Sequence, residues 1–193
     1  MSESPKTRSE RQAQTRDQLI WAAMEVFTDK GFHGASLDEI ARHAGFTKGA
    51  VYANFAGKDD LFLAVVDRRI EVAFDETEEP DIEIGAGELF ELPWATLSLE
   101  VILYALRTSP ELHRELARRY QQIDQMVSAG LQQTRGVSAD EAPTAALVRS
   151  ALHEGLMIRR LADPDQISAE YAEEVHQAFF DAALAGRAQQ TER

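Results

Sequence analysis

The chain has 193 residues, 44% hydrophobic and 27% charged, values of an ordinary globular protein long enough to bury a core. It holds no cysteine, which excludes disulfides, thiolate chemistry and cysteine-ligated zinc. The formal net charge is −13, yet residues 1–58 carry eight Lys and Arg against seven acids, which suggests a part that can approach a polyanion the acidic remainder would repel, or equally an accident of composition between two domains.

No run reaches the roughly 18 apolar residues of a membrane span. The polar start "MSESPKTRSERQAQTRD" lacks the apolar centre of a secretory signal. A soluble, cytoplasmic protein without a membrane partner is therefore expected. Residues 1–15 read as a flexible arm whose Lys6, Arg8 and Arg11 add general affinity for a polyanion.

Periodicity is helical from end to end, so the fold class expected is all-α. Leu19, Ile20, Ala23 and Phe27 make a first apolar stripe, which glycines 31 and 34 end. Ser36 reads as an N-cap with Glu39 completing a capping box. Leu37, Ile40, Ala41 and Ala44 then form a short second helix that Gly45 stops. Thr47 starts a third, in which Val51 and Phe55 are the buried face. A fourth runs from Asp59 and Asp60, whose charge suits a helix start, to about Phe74. The acidic stretch 75–88, with Pro80 and two glycines, reads as a flexible connection. Further helices are expected near 89–107, 110–134, 141–162 and 168–186, with "TSPEL" and "ADPDQIS" supplying Pro and cap residues at two of the breaks.

Two short helices joined at Gly45 and preceded by a third form a helix-turn-helix pattern, which sets its second helix in the DNA major groove. That geometry accounts for the composition of "TKGAVYANF" at 47–55. Gly49 and Ala50 keep the leading edge thin, while Thr47 and Tyr52 offer hydroxyls to phosphates. Lys48 reaches a phosphate or a guanine edge. Asn54 lies near the backbone side, and Lys58 joins a cation to a helix start, a phosphate site. Ser36 is grouped with these candidates. Each has a plainer reading beside it: Lys58 solvated, Ser36 only a cap, Asn54 bonded to its own helix.

The span Arg16–Leu61 resembles the DNA-binding domain of the tetracycline-repressor (TetR) family. It has Phe27 and Gly31-Phe32 at the end of the first helix and Ile40-Ala41 and Ala44-Gly45 in the second. Thr47-Lys48-Gly49, Tyr52, Phe55 and Lys58 follow in order. The family's usual His before the last Phe is Asn54 here, whose amide can still donate. The resemblance implies a homodimeric transcriptional regulator, usually a repressor, that binds a palindromic operator in double-stranded DNA and leaves it when a small molecule binds its C-terminal domain. The domains expected are the arm 1–15, the DNA-binding domain 16–58 and a helical effector-binding and dimerisation domain 59–193. A helical protein-interaction module without specific DNA binding is the rival reading.

In the C-terminal part, Leu147, Val148, Ala151, Leu152, Leu156 and Leu161 on one helix, and Tyr171, Val175, Ala178, Phe179 and Ala182 on the next, make wide apolar faces. Such faces suit burial against a second subunit, and equally burial within one chain. Phe90, Trp94, Leu97, Val101 and Tyr104 suit either a cavity lining or ordinary core, with His153 and Met157 as additions. The effector expected is mainly apolar, neutral or cationic. "HEGLM" begins like a zinc-protease helix, but Met157 stands where the second histidine would be. No metal, cofactor or catalytic residue is expected.

Overall fold

The structure is a computed structural model describing residues 7–74 and 92–191, with side chains through Ala183. Every regular element among the described residues is an α-helix: α1 (Arg8–Gly34), α2 (Leu37–His43), α3 (Lys48–Asn54), α4 (Lys58–Ala73), α5 (Leu92–Thr108), α6 (Pro110–Arg135), α7 (Ala142–Ala162) and α8 (Ala169–Thr191). None is long and apolar enough to cross a membrane. The chain forms two compact units. One comprises Met1–Val72 and Leu97–Leu116, the other Ala73–Thr96 and Ala117–Arg193.

Helix α1 begins inside the stretch expected to be an arm, so Arg8 and Arg11 ride on helical turns. The cause is local: Thr7 Oγ1 accepts the Glu10 N–H at 3.2 Å while the Glu10 carboxylate accepts the Thr7 N–H at 2.6 Å. The first buried residue of α1 is Leu19, so no apolar stripe announces the turns before it. Lys6 lies outside the described residues.

Gly31, at φ +73° and ψ 170°, breaks α1 and folds Phe32 back into the core. Phe27, Phe32 and Phe62 form an aromatic triad with centroids 5.6–5.7 Å apart. Fully burying each contributes about 2–3 kcal/mol. Ile40 of α2, Val51 of α3 and Leu61 of α4 are completely buried in the same unit. They anchor α2, α3 and α4 in the core of that unit.

The expected cap residues mostly do their work. Ser36 Oγ accepts the Glu39 N–H at 3.2 Å, but the Glu39 carboxylate pairs with Lys30 instead of closing the box. Ser109 Oγ accepts the Leu112 N–H at the start of α6, and Ser168 Oγ accepts the Tyr171 N–H at the start of α8. Acids in the first turn of α2 and Arg42 with His43 in its last turn complement its dipole.

In the second unit, Val127 and Leu131 of α6 pack on Ala145 and Ala146 of α7 and Phe180 of α8, with Phe74 partly buried beside them. A further cluster joins Ala95, Met157 and Ala172. Leu147, Val148 and Ile158 on α7 and Tyr171 and Phe179 on α8 stay 45–60% exposed.

Candidate nucleic-acid interface

Helix α2 ends because Gly45 adopts φ +75°. In that left-handed conformation Phe46 N–H reaches Ala41 O at 2.8 Å and closes the last turn. A Cβ at Gly45 would meet nothing within 4 Å, so the requirement is for the backbone angle alone. The tight turn delivers α3 directly across α2.

Val51 and Phe55 are 0% and 2% exposed and fix α3 from beneath. A second restraint comes from α1: Arg16 Nη1 donates to Asn54 O at 3.3 Å, and its guanidinium lies 4.3 Å from the Phe55 ring centroid. A cation at the C-terminal end of a helix also meets the negative pole of its dipole. Nothing in the periodicity of α1 pointed to Arg16, because the contact spans 38 residues.

The opposite face of α3 is open, with Lys48, Gly49, Tyr52 and Ala53 exposed and Ala50 half-buried. Thr47 occupies the N-cap position with extended backbone, yet its hydroxyl makes no cap hydrogen bond. The expected cap is thus one of position only. Lys48 Nζ is 2.9 Å from Asp38 Oδ1 on α2, an exposed pair that raises the lysine pKa and that a phosphate could replace.

Gly49 is the informative residue. A Cβ there would meet only Thr47 Oγ1, at an ordinary 3.7 Å. Glycine inside a helix costs roughly 1 kcal/mol relative to alanine. Among the described residues no steric need explains it.

The remaining candidates are tied to the protein. Asn54 Nδ2 donates to Ala50 O at 2.8 Å, within its own helix. Ser36 is engaged as a cap. Lys58 Nζ sits 4.7 Å from the Phe32 ring centroid, half-buried. Burial lowers its pKa, against the opposing charges of Glu100 and Asp59. At the same helix start the Ala56 N–H is taken by Asp60 Oδ2 at 2.9 Å.

The residues grouped as an effector pocket divide between the two units. Leu97 and Val101, each 1% exposed, and Tyr104, against Phe32 and His33, belong to the first. Trp94, His153 and Met157 belong to the second, and Phe90 lies outside the described residues. Around His153 the second unit also gathers polar groups that the sequence did not flag. The His153 and His176 rings are 6.0 Å apart, and Ser150 Oγ donates to Asp124 Oδ1 at 2.7 Å. Burial first, then the neighbouring His176 and the Arg149 charge, push the His153 imidazole down to about 4. His176 moves the same way, by burial and by the Arg149 charge. Among the described residues no cluster of three or more acids and histidines could hold a metal ion.

Residues 19–65 match the family described as bacterial regulatory proteins, tetR family, and residues 88–185 match the C-terminal part of BetI-type transcriptional repressors. The chain is 48% identical over 56 residues to the HTH-type transcriptional activator FasR of Mycolicibacterium smegmatis, covering 29% of this chain and 26% of that protein. It is 30% identical over 141 residues to the A-factor receptor protein of Streptomyces griseus, covering 62% and 51%. It therefore spans about a quarter of the first relative's length and half of the second's. Among solved structures, a TetR-family regulator from Rhodococcus sp. is similar in fold, with a TM-score of 0.70 at 20% identity over 89% of this chain and 99% of that one.

Proposed function

The chain belongs to the TetR family of transcriptional regulators, and from that we propose a ligand-responsive repressor that binds a near-palindromic operator as a homodimer. The observation that carries this reading is Gly49. A glycine with room for a side chain, on the open face of a short anchored helix, fits close approach of that helix to another molecule. The N-terminal segment, near-neutral where the rest of the chain is strongly acidic, with Tyr52 54% exposed beside Lys48, suits a DNA partner.

Dimerisation is supported by the uncovered apolar faces of α7 and α8, where Leu147 and Phe179 are 60% and 54% exposed. Repression is the sign suggested by the description of the matched C-terminal family. The effector is a mainly apolar small molecule, neutral or cationic, held in the second unit with Trp94, His153 and Met157 as candidate contacts. Its binding lowers operator affinity only through different affinities for the bound and free conformations.

Selection of binding sites from random duplexes tests the reading. The expected product is an inverted repeat whose half-site centres lie roughly 34–36 Å, or a multiple of it, apart. Failure to enrich any inverted repeat would remove the dimeric operator.

A further inference from the structure

Beyond the break at Gly31, the chain makes a single turn through Phe32, His33 and Gly34, closed by the Ala35 N–H to Gly31 O at 3.2 Å. The first N–H groups of such a turn have no backbone acceptor and carry partial positive charge. Here both are taken by one carboxylate from another helix. Glu100 Oε2 accepts the Phe32 N–H at 2.9 Å and Oε1 accepts the His33 N–H at 2.8 Å.

The fit leaves no room for a side chain at Gly31. A Cβ at Gly31 would lie 2.6 Å from Glu100 Oε2, and the glycine also holds φ +73°. One turn further along α5, Tyr104 packs its ring 5.1 Å from Phe32 and 5.3 Å from His33. Beyond the end of α5, Ser109 Oγ donates to Asp59 Oδ2 at the start of α4, at 3.1 Å. One edge of α5 and its following residue thus grip the corner between α1 and α2 and the head of α4.

We propose that Glu100 is a positioning residue for DNA reading: as a cap supplied from outside the helix-turn-helix, it sets the angle at which α2, and with it α3, leaves α1. The turn it holds runs straight into Ser36, the N-cap of α2, so releasing two amides there loosens the entry to the reading pair. The buried contacts of Ile40 and Val51 remain. The expected defect is therefore in discrimination between sequences and not in folding. This deepens the reading above and rests on it.

The test compares the full-length wild type with Glu100→Ala and Glu100→Gln. Its readouts are amide exchange at Phe32 and His33, and the ratio of affinities for selected operator and random duplex. Glu100→Ala should exchange these two amides about tenfold faster, and lower operator affinity about tenfold with random-duplex affinity within about twofold. Glu100→Gln, which keeps one acceptor oxygen, should fall between. Wild-type exchange in Glu100→Ala would show that the carboxylate is not the cap, and a wild-type affinity ratio would end the positioning role. If Glu100→Ala loses the fold, Glu100→Gln decides by the same readouts, and wild-type values in both overturn the proposal. If the wild type itself prefers no duplex, the operator-binding reading fails and the positioning role with it, while the exchange data still report on the cap.

Discussion

Gly49 gives the sharpest residue-scale expectation, because its two effects have opposite signs. Gly49→Ala removes a helix-weakening residue in the first turn of α3, where a Cβ meets only an ordinary contact, so the free protein should gain up to ~1 kcal/mol and melt slightly higher. The same methyl group should stand between α3 and its partner and weaken operator binding. Thermal melting and operator titration of one variant measure both. The lysines should differ in kind. Lys58→Ala should weaken all duplexes alike and shallow the salt dependence by about one unit. It should also cost some stability, since the ammonium packs over Phe32. Lys48→Ala should change sequence preference, and equal losses on operator and random DNA would remove its reading role. His153 carries a pH expectation. Its imidazole titrates near 6.5 when unfolded and at about 4 when folded. Between those values the unfolded chain binds the extra proton, so stability is full above pH 6.5 and declines as the pH falls towards 4. A thermal-melting series over that range should show the decline, and His153→Leu should make it shallower, leaving the part that His176 contributes.

At the scale of elements, what was legible is what local chemistry dictates. Gly45, Ser36, Ser109 and Ser168 act through neighbours a few residues away, and the helices they bound lie within a few residues of the sequence-based limits. The burial of Val51 and Phe55 followed from their four-residue spacing. The start of α1 was missed because the capping box of Thr7 and Glu10 precedes any buried residue. The grips of Arg16 on Asn54 and of Glu100 on Phe32 were illegible for another reason. They span 38 and 68 residues, and no periodicity encodes a partner at that distance. That Trp94 falls in one unit and Val101 and Tyr104 in the other is not legible in an amphipathic stripe, which does not say which core it enters.

At the scale of the whole molecule, the chain joins a near-neutral N-terminal segment to an acidic remainder whose last two described helices leave apolar faces exposed. Leu147 and Phe179 are already exposed in the single chain, so Leu147→Glu and Phe179→Glu should leave its fold intact. If these faces meet in a dimer, each variant should sediment as a monomer and lose operator affinity; dimers of wild-type stability would move the interface elsewhere. The central claim, that α3 reads base sequence, is tested most directly by the wild-type affinity ratio between a selected operator and a random duplex at one salt concentration near physiological. A specific regulator should favour the operator by about a thousandfold or more. Equal affinity for the two duplexes would contradict the account.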